Sequence, residues 1–175
     1  MDRTSPIPSM LPKPQVHSFA EAVALRLSYT PSDPLEPLLE RIGGRLAFRD
    51  IFSDTENADS IKVEPSGKFT IFVSGLASAE RDRFTIAHEL GHYFLHFPLV
   101  RAKHPGQMMV ATRWVDETNA IQRRAEWEAN WFAAAFLMPS VAFKASLERH
   151  DRDMASVASD FGVSLHAATV RAKYF

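Results

Sequence analysis

The sequence predicts an α+β fold in which a small antiparallel or mixed sheet meander packs with helices. Two segments with helical periodicity come first, short β-like segments follow, and helical segments occupy the rest of the chain. The 175 residues are 46% hydrophobic and 23% charged, as expected of one globular domain with a buried core. We expect a disordered proline-rich tail over residues 1–17 and a single domain over 18–175, with 139–175 as a helical extension.

Composition excludes several classes of protein. The net charge is −1, from 20 basic and 21 acidic side chains, which gives no broad field for nucleic acid or an anionic membrane. Cysteine is absent, so disulfides, thiolate nucleophiles, iron–sulfur clusters and sulfur-ligated zinc are excluded. Any metal would have nitrogen and oxygen ligands. The sequence has no signal-peptide core and no apolar run of roughly 20 residues, so we expect a cytoplasmic protein without membrane association.

Two helices and three strands are predicted in the first half of the chain. The first helix, Phe19–Tyr29, has apolar residues four apart and ends before Pro31. The second begins after Ser32 and stops at Gly43 and Gly44. The strands are expected at Arg45–Ile51, Ile61–Glu64 and Lys68–Ser74, with Pro65-Ser66-Gly67 as a turn.

The second half is predicted to be mainly helical. A helix from Glu80 to about Phe97 precedes an irregular segment, Pro98–Asp116, and the longest helix covers Thr118–Met138. Shorter helices are expected at Ser140–Arg149, Asp153–Phe161 and Ser164–Ala172. The last two resemble a helix-turn-helix, but residues 139–175 carry five basic and four acidic side chains. Direct DNA binding is therefore not expected.

The motif HExxH occurs at His88, Glu89 and His92. At 100° per residue the two histidines project only about 40° apart, so both imidazoles can bind one metal ion. Glu89 lies about 100° from His88 and can reach a water on that metal without being a ligand. A shuffled chain of this composition would contain roughly 0.02 such matches, which makes two unrelated surface or core histidines the weaker interpretation.

A catalytic zinc site needs a third protein ligand and one position open to water. The residue six positions after His92 is Pro98, which excludes the class whose third ligand is a histidine there. The long helix offers Glu126 and Glu128 instead. Glu126 lies at the centre of a face of mostly small residues, whereas Glu128 points about 160° away. We therefore predict Glu126 as the ligand.

Three neighbours of these ligands have predicted roles. Asn130, one turn beyond Glu126, could accept the second ring N–H of a ligand histidine. Glu128 is expected in a surface ion pair with Arg124. His96, one turn after His92, could orient a ligand or the substrate, but a polar residue that caps its helix end is the favoured interpretation.

These residues resemble the ImmA/IrrE family of metallopeptidases, whose HExxH helix is followed by a helix reading roughly E-x-E-A-N-x-F-A-x-x-L-L-M-P. The matching positions of that second helix are Glu126, Glu128, Ala129, Asn130, Phe132, Ala133, Leu137, Met138 and Pro139. Phe136 stands where the family commonly has leucine. The resemblance implies a zincin-like (gluzincin) fold, metal ligands His88, His92 and Glu126, and Glu89 as general acid/base.

The resemblance also implies a function. It suggests a zinc-dependent endopeptidase, with manganese as an alternative metal, that cleaves a helix-turn-helix transcriptional repressor in a stress or mobile-element response. The length favours the compact ImmA branch over relatives that carry a GAF-like domain. The alternative is a non-proteolytic, metal-containing regulator, such as a toxin or anti-repressor, that binds a helix-turn-helix partner.

The sequence leaves two questions about the predicted active site without an answer. Tyr93, His104 and Arg113 are candidates for stabilising the oxyanion, and no spacing distinguishes them. The strand Lys68–Ser74 could offer a sheet edge to an extended substrate, or it could be an interior strand.

Overall fold

The computed structural model describes residues 1–49 and 59–175, which form a five-stranded mixed sheet packed against helices. The predicted α+β class is confirmed. The strands are β1 (Arg3–Thr4), β2 (Gly44–Phe48), β3 (Asp59–Val63), β4 (Phe69–Val73) and β5 (Met108–Thr112). The helices are α1 (Lys13–Arg26), α2 (Glu36–Arg41), α3 (Ala79–Gly91), α4 (Phe97–Lys103), α5 (Ala120–Leu137), α6 (Ser140–Arg149), α7 (Met154–Phe161) and α8 (Leu165–Ala172). The end of the predicted strand Arg45–Ile51 falls outside the described residues.

The sheet has the order β1-β5-β3-β4-β2. β3 is antiparallel to β4 and β5, while β1 with β5 and β2 with β4 are parallel pairs. β4 therefore lies inside the sheet, and its residues Phe69, Ile71 and Val73 alternate into the core. The suggestion that Lys68–Ser74 offers a free edge to a substrate is wrong, because both of its edges are paired.

The segment before the first helix is ordered, so the prediction of a disordered tail over residues 1–17 is wrong. Arg3 and Thr4 pair with β5, and the amide of Met108 donates to the carbonyl of Asp2 at 3.0 Å. α1 begins at Lys13, and the preceding Ile7 packs on the core. The prolines suggested disorder, but the amides of Ser9 and Met10 beside them donate to the buried carboxylate of Glu128.

The segment predicted to be irregular also contains regular structure. Pro98 occupies the first turn of α4, where its missing N–H is no loss, and β5 follows inside the predicted loop. Between α3 and α4 the chain forms a π-helical turn, His92–His96, in which the amide of Phe97 donates to the carbonyl of His92. The predicted helix from Glu80 to Phe97 is thus continuous but changes pitch in its second half.

The C-terminal helices α6, α7 and α8 occur close to their predicted positions. They complete the core with Phe143, Phe161 and Ala168, all buried. None of the helices in residues 1–49 and 59–175 is long and apolar enough to span a membrane.

Helices α3 and α5 approach each other closely at Gly91. A β-carbon added to Gly91 would lie 2.9 Å from the Cα of Ala129 and 3.2 Å from the Cβ of Phe132. The first of these atoms is backbone and cannot move unless the whole helix moves. Gly91 therefore permits the short distance between the HExxH helix and the second helix.

We expect Gly91→Ala to lower the free energy of unfolding by about 1–3 kcal/mol, because the methyl group overpacks the helix contact. The sign is diagnostic, since alanine replacing glycine in an uncrowded helix stabilises by about 1 kcal/mol. Urea unfolding measures the difference. A stability equal to or above that of the parent protein would contradict the close packing.

Candidate metal centre

The structure brings together two residues of the HExxH motif and one residue of α5. The donor atoms of His88, His92 and Glu126 all lie within 4.8 Å of one another. Nε2 of His88 is 3.1 Å from Oε2 of Glu126, and Nε2 of His92 is 3.2 Å from Oε1 of the same carboxylate. Two imidazoles and one carboxylate therefore converge from two helices.

The spacing of these donors fits a tetrahedral ion. The two Nε2 atoms are 3.2 Å apart, and two nitrogens bound to zinc at about 2.0–2.1 Å with tetrahedral angles lie about 3.3–3.4 Å apart. Nitrogen and carboxylate oxygen are also ligands that zinc and manganese accept. The residues present thus fit a divalent metal with three protein ligands.

His88 is oriented by Asn130. Its Nδ1 is 2.9 Å from Oδ1 of Asn130, and an amide oxygen can only accept, so Nδ1 carries the proton. In a neutral ring this leaves the lone pair on Nε2, which faces the other ligands. The structure places Asn130 where the sequence predicted a partner for a ligand histidine.

His92 is oriented through His96 and Glu128. Nε2 of His96 lies 3.0 Å from Oε2 of Glu128, and the two Nδ1 atoms of His92 and His96 are 2.9 Å apart. The carboxylate accepts, so His96 donates from Nε2 and accepts at Nδ1, and His92 must donate from its own Nδ1. The lone pair of His92 is therefore on Nε2, toward the candidate metal position.

Glu128 is fully buried, which corrects the expectation of a surface ion pair, although the pairing with Arg124 does occur at 2.8 Å. The other partners of this carboxylate are the amide and hydroxyl of Ser9 and the amide of Met10. Burial would raise the pKa of Glu128, but the hydrogen bonds from His96, Arg124 and Ser9 outweigh it and lower the pKa to about 2. The expectation that His96 caps a helix end is also wrong, since its side chain is buried against Glu128.

Glu89 lies beside the candidate ligands without being one of them. Its side chain is buried, and Oε2 has no hydrogen-bond partner in the described part of the chain. A buried carboxylate oxygen without a protein partner is rare and indicates an unfilled polar position. Burial raises the pKa of Glu89 to about 7, against the opposing effect of His88.

The ligand groups differ in their protonation. Burial lowers the pKa of His92 to about 3, so this ring is neutral and ready to bind a metal. Burial acts in the same direction on His88, but the hydrogen bond to Glu126, together with the charges of Glu89 and Glu126 and the contact with Asn130, outweighs it and raises the pKa to about 8. Burial would raise the pKa of Glu126, yet the hydrogen bonds from both histidines hold it well below its usual value. A metal therefore competes with a proton at His88.

The structure does not distinguish among the three candidates for stabilising the oxyanion. The hydroxyl of Tyr93 donates to the carbonyl of Gly67 at 3.3 Å, and its ring packs on Phe69. His104 and Arg113 are exposed. Their roles stay predictions.

Comparisons with known proteins identify related sequences and folds. The family model of the IrrE N-terminal-like domain, Peptidase_M78, matches residues 40–173. A solved structure of a Mycobacterium tuberculosis transcriptional regulator is similar over 90% of this chain, with a TM-score of 0.61 and 20% sequence identity. This chain covers 46% of that protein, about half of its length. No curated protein matches the sequence significantly.

The sequence interpretation missed Glu128 as a support of the candidate site, and for His96 it favoured a capping role over that of orienting a ligand. The spacing of four between His92 and His96 indicated that the two rings are neighbours on one helix. No local pattern, however, indicated that Glu128 faces His96 from the other helix.

We expect Glu128→Gln to weaken zinc binding by about 10- to 100-fold, the usual cost of losing a group that orients a ligand. The amide no longer requires His96 to donate from Nε2, so His92 is no longer held with its lone pair on that atom. Chelator competition measures the affinity. Glu148→Gln on the exposed face of α6 is the matched control, and equal zinc affinities for the two variants would contradict the role of Glu128.

Proposed function

Since the chain belongs to the Peptidase_M78 family of IrrE N-terminal-like metallopeptidases, we propose that it is a zinc-dependent endopeptidase whose metal is held by His88, His92 and Glu126. The observation that carries this proposal is the convergence of the three donors within 4.8 Å. The fixed lone pairs of His88 and His92 support it, because they leave both Nε2 atoms available to one ion.

Zinc in such a set supplies Lewis acidity, which activates a water molecule and polarises the scissile carbonyl. Glu89 is the proton carrier of the reaction. Its unpartnered Oε2 accepts a proton from the attacking water and returns it to the leaving amine. A pKa near 7 suits this role, because the group must both take and release a proton near neutral pH.

The substrate is proposed to bind as an extended peptide beside β5. Glu126 borders a small cavity of about 90 Å³ that is also lined by Ala111 and Thr112 of β5 and by Pro6. On the side of β5 away from β3, β1 pairs only with Met108 and Met109. The rest of β5 is thus placed to pair with a peptide near the metal ligands.

We further propose that the substrate is a helix-turn-helix transcriptional repressor and that cleavage takes place in the cytoplasm. The structurally similar M. tuberculosis protein is a transcriptional regulator, which supports a role in transcription. The family resemblance of the two ligand helices supports a repressor as the protein that is cut.

We expect Glu89→Gln to reduce cleavage of the partner repressor by about 100- to 10,000-fold, the usual contribution of general acid/base catalysis. Zinc affinity should change little, because Glu89 is not a ligand. The assay incubates the zinc-loaded protein with repressors encoded beside its gene and identifies fragments by mass spectrometry.

Glu148→Gln is again the control and should cleave at the rate of the parent protein. Unchanged cleavage in Glu89→Gln would show that another group carries the proton. Tight binding of an intact repressor by the parent protein, with no fragments, would instead support the non-proteolytic regulator.

A further inference from the structure

A second cavity is lined in part by Asn130, the residue of α5 that contacts His88 of α3. It has a volume of about 460 Å³ and is lined by residues of α1, α3, α5 and α8 and by Tyr174 near the C-terminus. Cavities of roughly 300–1,000 Å³ are typical of small-molecule sites. The four surrounding helices are fixed by the core, so the cavity is part of the fold.

The lining combines an aromatic wall with an excess of positive charge. Phe84 and Trp131 contribute flat apolar surface. Lys13 and Arg81 also line the cavity and form no ion pair within the described structure. Glu80 is the acidic side chain among the lining residues. These charges leave one uncompensated cation.

Lys13 and the buried Arg171 define the polar end. The ammonium of Lys13 lies 4.6 Å from the ring centre of Tyr174 and 5.5 Å from that of Trp131, which holds it over the aromatic wall. Arg171 is bound to Glu21 at 2.9 Å, so its own charge is balanced.

The pKa of His17 depends on its burial and on the neighbouring charges. Burial and, to a lesser extent, the neighbouring Arg171 and Lys13 together lower its pKa to about 4. His17 is therefore neutral at physiological pH and leaves the positive charge of the cavity to Lys13 and Arg81. The charges of Lys13 and Arg81 in turn favour an anionic ligand.

The cavity is connected to the candidate metal centre by one hydrogen bond. Asn130 lines the cavity and accepts from Nδ1 of His88 at 2.9 Å. A molecule that contacts Asn130 would therefore alter the environment of the His88 ring.

We propose that this cavity binds a small aromatic carboxylate, with its ring against Phe84 and Trp131 and its carboxylate near Lys13 and Arg81, and that Asn130 communicates its presence to His88. The site does not depend on peptidase activity. The linkage is reciprocal, so a ligand that alters the affinity for zinc must have its own affinity altered by zinc by the same factor.

The test titrates the full chain with 2-naphthoate and with the neutral isostere 2-naphthamide, using calorimetry and NMR. We expect the carboxylate to bind about tenfold more tightly, since a charge-assisted hydrogen bond is worth about that factor. Arg81→Gln and Lys13→Gln should each remove most of this difference and leave naphthamide binding within about twofold. Arg26→Gln, an exposed position on α1, is the matched control.

Equal affinities for the acid and the amide, or no binding at millimolar concentration, would overturn the proposed site. A loss in Arg26→Gln as large as that in Arg81→Gln would also overturn it, because general charge attraction would then explain binding. For the connection, naphthoate should shift the ¹⁵N resonances of His88 in the parent protein but not in Asn130→Ala. A His88 shift that persists in Asn130→Ala would disprove the role of Asn130.

Discussion

The candidate metal centre depends on how closely two helices can approach. Its ligands come from α3 with the adjoining turn and from α5, so donor distances of 3.1–3.2 Å require the helix axes to be near one another. Gly91 permits this approach, because a β-carbon there would meet the backbone of Ala129 at 2.9 Å. Tightly packed interiors transmit small volume changes directly. One methyl group at this contact therefore acts on both distances between Glu126 and the histidines.

The second constraint is the burial of Glu128. An ionised carboxylate inside a protein is costly unless its oxygens are hydrogen-bonded. Within the described structure His96 and Arg124 supply two donors, while Ser9 and Met10 supply three more. The need for these donors explains why the N-terminal segment is ordered. Its residues Ser9 and Met10 lie against α5 and complete the hydrogen bonding of the Glu128 carboxylate. The same carboxylate then fixes the tautomers of His96 and His92.

The sequence predicted the parts of the site that follow from helix periodicity. The spacing of four placed His88 and His92 on one face, and the face of mostly small residues around Glu126 distinguished it from Glu128. It could not predict contacts between segments far apart in the chain. Ser9 and Glu128 are separated by 119 positions, and no periodicity relates them. Prolines suggested disorder at residues 1–17 for the same reason, because the partners that order them belong to β5 and α5. The π-helical turn at His92–His96 was equally inaccessible, since helical projections assume a constant pitch.

The two ligand histidines differ in how firmly they are held, and this difference has consequences for the site. His92 is buried and tied through His96 to a carboxylate that is itself fixed by several donors, so its orientation cannot change without disrupting the core. His88 is partly exposed and held by Asn130, an exposed residue whose amide also faces the 460 Å³ cavity. The pKa of His88 is also higher than that of His92, so His88 is the ring at which a proton competes with a metal. We therefore expect a molecule that alters metal binding to act at His88, where the supporting contact is single and accessible, and not at His92.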